Sequence, residues 1–392
     1  MRGYEIKLYP NKTQAQQIER EISCSRFIYN KMIEISQKKY HRTGKSLSGY
    51  DMQSYLPKLK KQFPWLKDVT AQQLQITCHN LADAYNRFFK KIAKYPKFKK
   101  KSYRGSYKVV SNARLLDTKI KLPKLGLVRY RGGTVPRGVL KSVTIKKKAS
   151  GYYASVLFDT KESIKEPNPF SSITGIDLGI KDYLICSNGD FVKNPKHLRT
   201  SEKRLEERQK RLSKSLKGSK KRNQRRKVLA RTHEKIANQR KDFTHKVSRL
   251  LVDKCENQAF ALEDLNIRGM VKNHKLAKSI SDASWGMFKT FLNYKATSSG
   301  KQVFTVDRFY PSSKTCSSCG IVNDSLVLSD REWTCKSCNT VHDRDLNAAI
   351  NISKEAWRNC VSGGLVSPEF LAIKTKAEPV KLKKSLHLQQ CL

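Results

Sequence analysis

The chain has 392 residues, enough for two or three domains with ordinary cores. Its 80 Lys and Arg stand against 33 Asp and Glu, a formal charge of +47 whose self-repulsion calls for a polyanionic partner. With 38% apolar residues it is no disordered basic tail, and with neither the ~18-residue apolar run of a membrane span nor a secretory leader in MRGYEIKLYP it reads as cytoplasmic, without a membrane role.

Residues 3–9, GYEIKLY, alternate as a strand does, and Pro10-Asn11 breaks the pattern before helical spacing begins near Thr13. From Thr13 to Lys94 apolar residues such as Leu74, Leu81, Tyr85 and Phe88 recur at helical intervals, with breaks at Gly44 and around Pro64. This predicts a bundle of three or four helices over 13–104. The following stretch KYPKFKKKSYRGSYK is basic, interleaved with rings and free of acids, which suits either phosphate tracking with base stacking or a solvated linker. Residues 110–160 return to strand patterning, and Val143–Lys147 and Tyr153–Phe158 flank a hairpin turn at Ala149-Ser150-Gly151. Because one strand precedes the helices, the economical arrangement pairs it with these later strands. A small β-barrel of residues 1–12 and 105–165 then carries the helical bundle as an insertion.

KESIKEPNPFSS has no periodicity and reads as a linker ending near Ser171. Beyond it SITGIDLG and YLICSNGDFV form a strand pair, QAFALEDL and KQVFTVD are further strands, and SWGMFKTFLNYKA is a helix. Residues 201–250 hold 19 basic and 5 acidic residues, a net of +14, on helices that Gly218 separates. Alternating strands and helices predict an α/β domain with a partly parallel sheet. After Gly363 periodicity is lost, and residues 363–392 are expected to be a disordered tail.

Four of ten cysteines fall in C-x2-C-x15-C-x2-C: Cys316, Cys319, Cys335 and Cys338. Four thiolates on two turns can close tetrahedrally around one Zn²⁺, and a site with four protein ligands has no open position, so the zinc is expected to be structural. His342 is a further candidate, but four cysteines already saturate the metal. Cys24, Cys78, Cys186, Cys255, Cys360 and Cys391 are scattered and read as buried or incidental thiols. Three acids stand at the ends of regular elements: Asp177 after ITGI, Glu263 after FAL, and Asp345 ahead of LNAAINI. Singly each has a plain structural explanation, Asp345 as a helix N-cap, Asp177 as the start of a turn at Gly179 and Glu263 as a surface charge. Converging carboxylates are also what two divalent ions need for phosphodiester hydrolysis, and oxygen ligands are what Mg²⁺ prefers. Glycine-rich phosphate loops and H-x-H pairs are absent, against nucleotide-driven motors and against transposition by paired histidines.

Taken in order, GIDLGIKD, ALEDLNIRGM, FYPSSKTCSSCG with its partner cysteines, and HDRDLNAAINI resemble the TnpB family of insertion-sequence proteins, relatives of the compact type V CRISPR effectors. The resemblance is close over 172–355. It is looser over the N-terminal half, where KLYPNKTQ and ADAYNRFFKK look like the family's opening strand and helical region.

The resemblance implies a multidomain α+β protein: a helical bundle inserted in a small β-barrel, then a RuvC/RNase H-like α/β domain over 172–310 and 341–362 with an inserted four-cysteine zinc ribbon over 311–340. It implies catalysis by Asp177, Glu263 and Asp345 as ligands of Mg²⁺, two ions being expected and Mn²⁺ able to substitute. Asp264 should point to the opposite face of its strand, whereas Asp343 remains a competitor. The implied partners are a guide RNA copied from the element's own end and target double-stranded DNA with a short adjacent motif, the chain acting as a monomer or weak dimer on RNA. Gln72, Gln73, Gln75 and His79 are candidates to read that motif, or are an ordinary exposed helix face. Two other readings compete: an inactive RNA-guided repressor of the same fold, and a plain zinc-ribbon nucleic-acid binder. The intact acidic motifs argue against the first, and the helical and barrel halves against the second.

Overall fold

The computed structural model describes residues 1–364 apart from 102–103, 134–137, 162–164, 256–257 and 328. The tail expected to be disordered lies, from residue 365 on, outside the described residues. The chain divides into two units, Met1–Glu162 and Ser163–Leu392.

The first unit opens with β1 (Arg2–Tyr9) and then α1 (Lys12–Thr43), whose start is fixed by a capping box in which Asn11 and Gln14 bond each other's backbone N–H. α2 (Gly49–Ser54), α3 (Leu56–Gln62), a 3-10 turn (Pro64–Asp68) and α4 (Ala71–Phe89) complete the helices. Ile28, Met32 and Ile33 of α1 pack with Leu74, Cys78 and Leu81 of α4 in one buried cluster. Each such side chain contributes about 1.5–3 kcal/mol on burial. Six strands follow: β2 (Gly105–Val109), β3 (Arg114–Leu115), β4 (Lys119–Leu122), β5 (Gly126–Arg131), β6 (Val139–Lys148) and β7 (Gly151–Asp159).

All ladders here are antiparallel, in the order β2-β6-β7-β1-β5-β4-β3, so β1 lies between β7 and β5 and the helices interrupt the sheet in sequence. The β6–β7 hairpin turns at Ala149-Ser150, with Lys148 opposite Gly151. One expectation concerns barrel closure: among the described residues the end strands β2 and β3 are not paired with each other. A second concerns the polar face of α4. Gln73 is buried and donates to the Glu21 carbonyl at 2.6 Å, because it lies on the inward stripe beside Leu74 and Thr77. Gln72 accepts from the Val110 and Ser111 backbone, His79 rests against Gln53 and the Tyr50 ring, and Gln75 is exposed.

The second unit begins with β8 (Ile173–Asp177), β9 (Asp182–Cys186) and β10 (Phe191–Lys193). Helices α5 (His197–Ser213) and α6 (Lys220–Lys254) follow, parted near Gly218, whose φ of 88° suits glycine. Then come β11 (Ala259–Glu263), α7 (Ile267–Met270), α8 (His274–Ala283), α9 (Trp285–Ser298), β12 (Gln302–Val306), the short pair β13 (Glu332–Thr334) and β14 (Val341–Asp343), and α10 (Arg344–Ser362). The main sheet has the order β10-β9-β8-β11-β12, antiparallel from β10 to β8 and parallel from β8 through β11 to β12.

In β11 the sequence AFAL is buried on both faces, and alternation sorts it. Phe260 and Leu262 join Val247, Leu251, Phe288 and Leu292 on the side of α6 and α9, while Ala259 and Ala261 join Ile352, Ala356 and Cys360 of α10. Small residues on the second face let α10 come close. At Gly175 of β8 a Cβ would lie 2.0 Å from the Ala349 carbonyl oxygen and 2.6 Å from the Ser353 backbone nitrogen.

Candidate active site

The strand pairing that sorts the core also sorts the acids. Ile176 of β8 is level with Leu262 of β11 in the parallel ladder, so the next residues, Asp177 and Glu263, stand side by side at the carboxyl edge of the sheet. By alternation both share the α10 face with Gly175 and Ala261. Carboxyl ends of parallel strands are where open α/β sheets place their sites. Asp345 lies in the first turn of α10, the helix that Gly175 admits against β8. The three acids named from sequence are thus brought to one corner. Asp264, on the opposite parity, is half-buried and paired with Arg308 and Lys289. Asp343 is the N-cap of α10, accepting from Leu346 N–H at 2.8 Å, which corrects the reading of Asp345 as the cap and leaves the Asp345 carboxylate available.

Burial raises the Asp177 carboxyl to about 7, with further upward pressure from Glu263 and Asp345 and opposing help from the Leu178 N–H and Arg344. Burial also raises Glu263, against a hydrogen bond from Ser312, and Asp345, against Arg331 at 3.3 Å. The two neighbouring carboxylates that raise Asp177 in a partly buried corner call for a countercharge, and the donors are all carboxylate oxygens, the set a hard divalent cation takes. Of the described residues only the four cysteines bring three or more ligand atoms within 4.8 Å of one another. The carboxylates are more widely held, Glu263 towards Ser312 and Asp345 towards Arg331.

Sequence reasoning missed Ser312, Asn351 and Arg331. Asn351 donates to the Ser312 carbonyl at 2.8 Å and the Thr315 carbonyl at 2.6 Å, and Asn347 donates to Thr315 at 2.8 Å. The two asparagines sit four apart on one face of α10 in LNAAIN, a helical spacing that could have marked them. They fasten the loop carrying Ser312, and Ser312 in turn orients Glu263.

The cysteine sulfurs lie within 4.8 Å of one another, with Cys316 Sγ 3.6 Å from Cys338 and Cys319 Sγ 3.6 Å from Cys335. The Thr340 hydroxyl and N–H lower Cys338 to about 6, and backbone N–H groups of Cys338 and Ser337 lower Cys335, both favouring the thiolate a metal binds. His342, set aside above, is buried with Nε2 3.0 Å from Cys316 Sγ and its ring against Trp333. Elsewhere in this unit α5 and α6 flank a cavity of about 250 Å³ lined by Arg204, Arg208, Arg231 and Lys235, without a carboxylate. No helix of the described residues is long and apolar enough to cross a membrane.

Residues 155–274 match the family described as "Probable transposase", 285–352 the "Cas12f1-like, TNB domain", and 1–45 a "Helix-turn-helix domain", although here those first residues form β1 and the single helix α1. A "Putative RNA-guided DNA endonuclease" of Streptomyces pristinaespiralis is 34% identical over 391 residues, 97% of this chain and 95% of the relative. InsQ of Escherichia coli (strain K12), of the same designation, is 29% identical over 90% of this chain and 91% of its own. Among solved structures, the Cas12f1-sgRNA-target DNA complex matches at TM-score 0.56 and 16% identity, covering 86% of this chain and 82% of that one, a likeness of fold. Identity at this level along nearly the whole of both chains, with the ordered acidic and cysteine motifs in one unit, means that the chain belongs to the TnpB family of insertion-sequence proteins.

Proposed function

We propose that the chain is an RNA-guided DNA endonuclease that hydrolyses phosphodiester bonds of target DNA with Asp177, Glu263 and Asp345. The observation that carries this reading is the partly buried corner where Asp177 and Glu263 end adjacent parallel strands beneath the first turn of α10. Asp177, Glu263 and Asp345 would hold Mg²⁺, whose chemistry when bound is to supply an activated water and to stabilise the leaving 3′ oxygen.

The chain's own residues prepare that corner. Ser312 fixes the Glu263 carboxylate, Asn351 fixes Ser312, and Arg331 and Arg344 temper the negative charge around Asp345 and Asp177. The four-cysteine cluster would hold one Zn²⁺ and, with four protein ligands, serve structure, keeping the Ser312 loop and β14 in place for α10. A charge of +47, including the cation-lined cavity between α5 and α6, suits a guide RNA and a heteroduplex gripped by their backbones while base pairing reads sequence.

The test is to isolate the chain with the RNA it retains and offer it a plasmid library with randomised flanks beside the matching target. Guided cuts beside one enriched flank are expected. Retained RNA with DNA binding but no cuts would leave the repressor reading, and absence of bound RNA would overturn the proposal.

A further inference from the structure

In the first unit α1, α4 and the segment after α4 enclose a cavity of about 290 Å³, at the small end of the ~300–1,000 Å³ of ligand pockets and suited to a single heterocycle. Its walls are rings, Tyr40, Phe88, Phe89 and Tyr95, with Gln37 and His41 as polar groups, and no carboxylate lines it. Phe88 and Tyr95 meet edge to face, 5.2 Å between centroids at 87°. Tyr40 and Phe89 are each 52% exposed, so aromatic surface is open beside polar groups.

The basic stretch that the sequence left open between a phosphate-tracking loop and a linker supplies one wall. It is fastened down: Asn30 exchanges hydrogen bonds with the Lys99 backbone at 2.8 and 3.0 Å, Lys99 Nζ lies 3.6 Å over the Tyr29 ring, and Tyr95 reaches the Gln37 and Tyr85 side chains. Exposed Arg42, Lys90, Lys91 and Lys94 flank the cavity residues in the chain. Rings within a cationic rim, without acids, are the combination that holds a base by its face and its strand by the phosphates.

We propose that this cavity receives one unpaired nucleobase of a nucleic-acid strand, stacked on the exposed rings and read at its edge by Gln37 and His41. The inference rests on the nucleic-acid-binding part of the proposed function.

The experiment uses the full chain carrying Phe89→Trp as a reporter, titrated with an oligoribonucleotide, the matching oligodeoxyribonucleotide and an abasic strand of equal length. Strands with bases should quench the new emission and the abasic strand should not, and the stronger of the ribo and deoxy arms assigns the base to guide or to DNA. Tyr40→Ala and Phe89→Ala should each weaken binding of that strand by roughly five- to a hundredfold, with Tyr40→Phe restoring it. Quenching by the abasic strand, or wild-type affinity in both alanine variants, overturns the pocket while leaving the endonuclease reading intact. Loss of all strand binding in the unsubstituted chain overturns both.

Discussion

Gly175→Ala tests how the fold sets the site. The added Cβ would lie 2.0 Å from the Ala349 carbonyl oxygen, 2.6 Å from the Ser353 nitrogen and 3.0 Å from the Ser353 Cβ. The first two are helix backbone, which cannot swing aside as a side-chain tip can. Unstrained heavy-atom contacts lie at roughly 3.5 Å, so α10 would have to retreat from β8 by about 1.5 Å. Overpacking of this kind costs about 1–3 kcal/mol, and a rigid obstacle argues for the upper end. In a unit of this size that lowers the melting temperature by roughly 6–12 °C. Retreat also carries Asp345 away from Asp177, and a displacement near ~1 Å costs on the order of a hundredfold in rate. Thermal melting and guided plasmid cleavage, run well below the variant's transition, measure the two effects. A melting temperature within about a degree of wild type, together with an unchanged rate, would refute the close approach of β8 and α10 as the determinant of the site.

Ser312→Ala should leave guide and DNA binding unchanged and slow cleavage roughly ten- to a hundredfold, because a hydrogen bond to a charged group is worth about 1.5–3 kcal/mol; a wild-type single-turnover rate would remove Ser312 from the site. Cys335→Ser should reduce bound zinc, measured by metal analysis, and lower the melting temperature, since structural zinc contributes directly to folding; full zinc content with normal melting would refute the four-cysteine centre. His245 stacks on Phe291 with centroids 3.9 Å apart, and burial, helped by Lys295 and Lys241, lowers its ring to about 4. The unfolded chain therefore binds the proton more readily, so His245 makes stability fall as pH drops from about 6.5 towards about 4. Discounted for partial exposure the effect is on the order of 1–2 kcal/mol. Urea unfolding of His245→Phe should show that much less acid sensitivity than wild type, and parallel pH profiles would contradict it.

What the sequence disclosed follows from how local each signal is. Asp177, Glu263 and Asp345 stood out as acids at the ends of short periodic segments, but only the order of the motifs around them, through the resemblance it carries, singled them out together, and strand parity separated Glu263 from Asp264. The choice between Asp343 and Asp345 needed the cap itself, since both residues suit a helix start and only the bond to Leu346 N–H tells them apart. Ser312 and Glu263 are 49 residues apart, and no periodicity links a loop serine to a strand end. Gln73 misled for a related reason: a polar residue on an apolar helix stripe reads as surface until its partner, the Glu21 carbonyl, is known. Sheet closure likewise depends on whether the ends of a ladder meet, and β2 and β3 have nothing in their sequences to decide it.

The most direct test of the account compares the wild-type complex with Asp177→Ala on a plasmid carrying the matched target, with Mg²⁺ and with chelator, measuring guided binding and cleavage on the same samples. The account predicts cuts only for wild type with Mg²⁺, and equal binding in both proteins. Cleavage by Asp177→Ala at the wild-type rate would contradict the assignment of the carboxylate corner as the active site.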